Sequence, residues 1–235
     1  MINFEWGKHG IRKYSASSDI TVIVDILSFS SCVDIAISNG ALLYPYRYKD
    51  DSAVEYAESL NAELASFKRS AEIFSLSPVS LKNIPSGTKI VLPSPNGSEL
   101  SLLSESRITI CACLRNFNAV GEYINTIGGN VTVIAAGEKW QDGSIRFAVE
   151  DFIGAGAVLS VLNGSCSPEA RACGGFFGSA RIGLTNLLRN CVSGIELIER
   201  GFACDVDAAL ELNISDAIPI LVNGCYVNQS NASLH

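Results

Sequence analysis

Asp25 is the first side chain in this sequence whose type and setting could do chemistry. It closes an apolar run beginning at Thr21 and is followed at once by Ser28, Ser30 and Ser31. A second segment repeats the design: Ile90 to Leu92 leads into Ser94-Pro95-Asn96-Gly97-Ser98-Glu99. In each, a β-branched strand stops and a helix begins within a few residues, which aims hydroxyls, backbone N–H groups and a helix N-terminus at whatever lies above the sheet. Such turns suit an anion. Local structural readings compete: Asp25 could cap a neighbouring helix, one of the serines could be an N-cap, and Asn96-Gly97-Ser98 is also a good turn followed by a good cap.

Further candidates follow in the chain. Arg115, after the predicted strand 107–114, could hold phosphate or sulfonate bidentately, or could make a surface salt bridge. Arg146 precedes Glu150-Asp151; these acids could favour a helix dipole or supply hard oxygen ligands to magnesium. Only His9 and His235 are available, so a serine–histidine–aspartate triad or multi-histidine zinc site is excluded in practice. Catalysis must lean on carboxylates, hydroxyls, arginine and a hard cation such as Mg2+. Neither the phosphate-loop signature nor a complete Gly-x-Gly-x-x-Gly is present.

The elements that must position these groups read as α/β. The 235 residues are 48% hydrophobic, enough for a large core. Strands are predicted at 20–27, 41–46, 89–92, 107–114, 131–136 and 217–222, with helices at 32–38, 51–64, 98–103, 116–127 and 148–162. The region 66–88 reads as loop, and mostly helix follows Gly137. The expectation is a three-layer α/β/α sandwich with a largely parallel or mixed sheet, 20–46 being a β-α-β unit. It forms a single domain over 1–235, or two intimately packed halves, 1–137 and 138–235. A net charge of −7 without a basic run argues against nucleic acid. The longest apolar candidate, 152–162, is about half a membrane span, so no membrane partner is expected. No signal peptide is visible at Met1 and the eight scattered cysteines read as reduced, so a cytoplasmic location is expected.

Several segments in order resemble the 2-phosphosulfolactate phosphatase (ComB) family: Val24-Asp25-Ile26-Leu27, Asn39-Gly40-Ala41, Ser94 to Ser98, Ala135 to Glu138, Glu150-Asp151 with Gly154 and Gly156, and Ser193-Gly194 through Gly201-Phe202. The likeness spans about 20–222. It implies a three-layer α/β/α fold and a magnesium-dependent phosphoric monoester hydrolase acting on a small anionic phosphorylated substrate, a phosphate ester of sulfolactate. Two positions depart from the family pattern. Ser28 stands where relatives often have arginine, and the glycine-rich Gly-Glu-Arg-Gly-Gly segment has only 66–70, Ser-Phe-Lys-Arg-Ser, as its nearest counterpart.

The combined expectation assigns Asp25 and Glu150 to catalysis, and Asp25, Glu150 and Asp151 to the metal. Ser28, Ser30, Ser31, Asn96, Gly97, Ser98, Arg115 and Arg146 are assigned to substrate. Asp25, Ser98, Arg115 and Glu150 are expected in one cleft. A non-catalytic anion-binding relative and a phosphatase for a non-sulfonated ester stay open, as does self-association into a homo-oligomer.

Overall fold

The apolar run leading to Asp25 is a strand, Ile20–Val24, with all five residues buried, in a computed structural model that describes residues 1–230. His235 lies outside the described residues. Val22 and Val24 pack with Val133, Ala135, Ile153 and Phe117, whereas Ile23 packs with Ile11, Leu100 and Ile134. Successive strand residues face opposite sides of a sheet. Both sides are therefore covered, and polar alternation is absent for that reason.

In chain order the elements are β1 (Ile2–Trp6), α1 (Gly7–Tyr14), β2 (Ile20–Val24), α2 (Phe29–Ser38), β3 (Leu42–Tyr46), α3 (Asp51–Leu60), β4 (Glu63–Leu64), β5 (Lys89–Pro93), α4 (Gly97–Leu103), β6 (Ile108–Cys111), α5 (Phe117–Ile127), β7 (Val131–Ala135), β8 (Glu138–Lys139), β9 (Ile145–Arg146), α6 (Val149–Leu159), α7 (Pro168–Ala180), α8 (Leu184–Asn190), α9 (Val192–Glu199), α10 (Ala203–Ala209), β10 (Pro219–Val222) and β11 (Cys225–Asn228). Helices α1 and α4 cover one face of the β2–β7 region, and α5, α6 and α7 cover the other. This is the three-layer α/β arrangement.

The nine-stranded sheet is mixed, in the order β1-β7-β2-β6-β10-β11-β3-β5-β4. β1, β7, β2 and β6 are mutually parallel, as are β3, β5 and β4. Between them sits the antiparallel pair β10–β11, itself antiparallel to β6 on one side and to β3 on the other. Followed through the ladder, the β3-β5-β4 trio thus runs opposite to the β1-β7-β2-β6 group. The β-α-β unit expected over 20–46 is corrected: three strands separate β2 from β3. Helix α2 buries nine of its ten residues, a pattern of enclosure rather than of one amphipathic face.

The hairpin responsible for this split turns at Asn223 (φ 50°) and Gly224 (φ 79°). Asn-Gly is the strongest dipeptide signal for such a turn, because both central residues need positive φ. Strand β11 was missed although that signal was present, as were β1 and α1. All eight cysteines are free thiols. No helix among the described residues is long and apolar enough to cross a membrane.

Candidate active site

The two strand-to-helix turns meet. The Gly97 N–H donates to Asp25 Oδ2 at 2.9 Å, although β2 and β5 belong to oppositely running parts of the sheet. Gly97 permits the approach: a Cβ there would lie 2.1 Å from Phe29 Cδ1. Their hydroxyls stay within the turns. Helix α2 starts at Phe29, three residues earlier than predicted, so Ser30 and Ser31 are not its caps. Ser30 Oγ accepts from the Asp25 N–H (3.2 Å), and Ser31 Oγ donates to the Ile26 carbonyl (2.8 Å). Ser98 Oγ donates to the Leu92 carbonyl at 2.9 Å.

Above the turns lies a cavity of about 230 Å³ lined by two sets of charges: Asp25, Glu138 and Glu196 are its acids, and Lys49, Arg69 and Arg200 its cations. Ser28, Ser94, Asn96 and Ser193 add polar wall. Asp25 is nearly buried, and its carboxyl pKa is pushed up to about 7, by desolvation first and then by Glu138, against the lowering effect of the Gly97 and Phe29 N–H groups. Glu138 is also shifted upward, mainly by burial and then by Glu150, while its bond from Asn96 Nδ2 (3.2 Å) opposes the shift. On the other side the Lys49 pKa is lowered, by desolvation first and then by repulsion from Arg69 and Arg200. Three cations converging close enough to repel one another make a setting for a polyanion.

Arg69 belongs to 66–70, the nearest counterpart of the family's glycine-rich segment, and was not among the expected site residues. Its side chain, only 10% exposed, donates through Nη1 and Nη2 to Ser28 Oγ, both at 3.2 Å, and pairs with Asp205 at 2.6 Å. A guanidinium therefore does occupy the neighbourhood of position 28. It arrives from the loop after β4 rather than from the turn itself. No spacing in the sequence links positions 49, 69, 138 and 200, so only tertiary structure could join them; the Gly137-Glu138 strand ending was the one usable signal.

The other expected residues fall into three groups. Asp25, Ser28 and Asn96 line the cavity. Arg146 lines an adjoining groove that shares Glu138 and Glu196, lies 4.0 Å from Glu196, and stacks over Trp140. The remaining residues do not line it. Asp151 Oδ1 accepts from the Ile26 N–H and Oδ2 from the Gly137 N–H, each at 2.9 Å, so this carboxylate ties together the segments following β2 and β7. Glu150 is buried behind the wall, close enough for its charge to raise Asp25, Glu138 and Asp151.

Arg115 corrects the expectation most sharply. It donates from Nε to Asp34 Oδ2 (2.7 Å) and from Nη1 to the Ala208 carbonyl (3.2 Å) and to Glu211. Neither the bidentate anion clamp nor an exposed salt bridge describes it, because burial leads the guanidinium to bind the protein's own carboxylates. The expected convergence of Asp25, Ser98, Arg115 and Glu150 in one cleft is not what the fold builds.

Among the described residues no group of three or more His, Cys, Asp or Glu side chains is arranged to hold a metal ion. Mg2+ is commonly held by one or two carboxylates plus water and substrate oxygens. Asp25 and Glu138, both on the cavity wall, fit that donor chemistry. A larger cavity of about 460 Å³ borders Trp6 and His9 and shares Pro95, Asn96 and Glu138, but its Lys8 and Lys139 both pair with Glu99.

The 2-phosphosulpholactate phosphatase family profile matches residues 8–224. This chain belongs to that family. It is thereby a member of a family of phosphoric monoester hydrolases. A protein of Thermotoga petrophila named a probable 2-phosphosulfolactate phosphatase is 29% identical over 214 residues, covering 88% of this chain and 90% of its own. The Methanothermobacter thermautotrophicus 2-phosphosulfolactate phosphatase is 28% identical over 211 residues, 88% of each chain. A probable 2-phosphosulfolactate phosphatase of Pseudothermotoga lettingae is 26% identical over 215 residues, 90% and 93% of the two chains. Family membership thus extends across the whole cavity, from Asp25 at one wall to Arg200 at the other.

Proposed function

We propose that this protein is a magnesium-dependent phosphatase for a small phosphate monoester with additional acid groups, of which 2-phosphosulfolactate is the reference substrate. The observation that carries this reading is the division of one small cavity into an acidic wall, Asp25 and Glu138, and a cationic set, Lys49, Arg69 and Arg200. On this reading the cations take the acid groups of the organic tail, and the phosphate is presented to the acidic wall. Asp25 and Glu138 would hold Mg2+, which supplies neutralisation of charge on the transferring phosphoryl group. Asn96 keeps Glu138 in place through its amide bond. Asp25 serves as base or nucleophile, supported by its position on the wall and by a carboxyl that titrates near neutrality in the absence of a cation.

Phosphate release from 2-phosphosulfolactate, with and without chelator, tests the reading directly. Turnover that survives chelation would remove magnesium from it. Release from no phosphorylated hydroxy acid, alongside binding of sulfolactate, would make the chain a non-catalytic relative, and equal turnover of non-sulfonated esters would broaden the substrate.

Asp25→Asn should abolish turnover while the protein still folds. The same variant has a pH signature in cation-free buffer. The folded pKa is raised above the reference value of 3.8 to about 7, so the stability contributed by the protonated form is present below about pH 4 and lost as pH rises through 7. Asp25→Asn should therefore unfold at a higher temperature than the parent at pH 8, with the gap closing toward pH 4.

A further inference from the structure

The loop that carries Arg69 has little regular structure and is held by its own hydroxyls. Ser75 Oγ accepts from the Ser70 N–H (2.9 Å) and donates to the Ser70 carbonyl (2.7 Å). Ser80 Oγ accepts from the Ser75 N–H (3.1 Å) and donates to the Ser77 carbonyl (2.7 Å). These bonds replace the ladder that a strand or helix would supply. They shape the loop locally, but they do not tie it to the rest of the protein.

Leu81 and Ile84 tie its far end into the core, and Asp205 on α10 ties the stretch that carries Arg69. Asp205 is fully buried. Its Oδ1 accepts from Ser77 Oγ at 2.5 Å and from the Val79 N–H at 3.4 Å, and its Oδ2 takes Arg69 Nη1 at 2.6 Å. Asp205 does not line the cavity, whereas Arg69 and Ser28 do. With Nη1 shared between Asp205 and Ser28, and one Nη2 hydrogen on Ser28, the Arg69 Nε–H and its other Nη2–H have no partner among the described residues. A guanidinium fixed on one edge and free on another is poised to receive a planar or tetrahedral acid group.

We infer that Asp205 is a positioning residue: from outside the cavity it clamps Arg69 against Ser28, so that the guanidinium's free donors meet the acid group on the substrate's tail. The inference rests on the phosphatase reading for its substrate, and on the observed contacts for everything else. Its energetic logic is preorganisation, because an arginine ordered before binding loses less entropy when the ligand arrives.

Asp205→Asn is the informative variant, since the amide oxygen can still accept from Ser77 and Val79 while the ion pair to Arg69 is lost. The expected result is a rise in KM for 2-phosphosulfolactate of about tenfold, the effect of roughly one charge-assisted bond, with kcat changing much less. Glycerol 2-phosphate, whose tail has no acid group, should lose less than 2-phosphosulfolactate does. Equal losses on both esters with a lowered Tm would mark Asp205 as merely structural and overturn the inference, as would unchanged kinetics. Calorimetric titration with sulfolactate separates the two readings. If the parent releases no phosphate yet binds sulfolactate, and Asp205→Asn weakens that binding about tenfold, the phosphatase reading fails and the positioning role stands. Parent and variant binding equally well, or no binding by the parent, overturns the positioning role.

Discussion

Two arginine–aspartate pairs bridge distant parts of this protein, and they differ in whether the guanidinium, once its bonds are made, reaches the cavity. Arg115 serves structure: Asp34 holds its Nε, the Ala208 carbonyl and Glu211 hold its Nη1, and Asp34 takes a further bond from Ser215 Oγ at 2.6 Å. Arg69 is anchored by Asp205 and Ser28 but opens onto the cavity beside Lys49 and Arg200. Residue type is the same and side-chain burial similar, yet one arginine closes the gap among α2, α10 and the segment after β6, and the other lines the cavity. Each keeps two of its five N–H groups without a partner among the described residues, so the pair is told apart by which residue lines the cavity.

The largest effect should come from breaking the structural pair. Arg115→Ala leaves Asp34 buried and unpaired, a change that typically costs about 3–5 kcal/mol of stability, and urea unfolding should show it as a large drop in midpoint. Activity lost without any fall in stability would undo the contrast by moving Arg115 into the site.

Arg69→Lys should act in the opposite sense. The ammonium keeps the charge beside Asp205 but cannot donate to both Asp205 and Ser28 while presenting a fork to substrate. The expected loss is about 10- to 100-fold in kcat/KM, equivalent to roughly 1.4–2.7 kcal/mol, with the unfolding midpoint nearly unchanged. A variant that is less stable but kinetically intact would make the two pairs alike.

The smallest effect sharpens the comparison at its edge. Glu211 meets Arg115 from a side chain that is 37% exposed, so Glu211→Gln should cost no more than about 1 kcal/mol. A several-fold larger loss in chemical denaturation would mean that Glu211, rather than Asp34, dominates the Arg115 pair.

How much was legible beforehand follows from where each signal lies. The continuous apolar runs of β2 and β7 announce a sheet covered on both faces, and Asp25 and Asn96 stand out because each ends a strand where a helix begins. The serines of the same turns have the residue type of an anion cradle, but Ser30, Ser31 and Ser98 do not line the cavity and each hydroxyl oxygen bonds a nearby backbone group. Asp151 is a like case, since its two oxygens hold backbone N–H groups of two separate turns. The β-α-β unit expected over 20–46 fails for a similar reason, because β6 and a hairpin near the C-terminus lie between β2 and β3.

What the sequence by itself determined is most of the central elements and the chemical stock: an apolar α/β scaffold, hardly any histidine, carboxylates and hydroxyls gathered at strand ends, and motifs enough to suggest the family. Periodicity and turn chemistry are local, so they survive reading in one dimension. Only the tertiary structure decided which charged groups share a cavity, and which arginine is consumed by the protein's own carboxylates. The reason is physical: a buried charge is governed by the partners within a few ångströms of it, and for Lys49, Arg69, Glu138 and Arg200 those partners come from parts of the chain that no spacing connects.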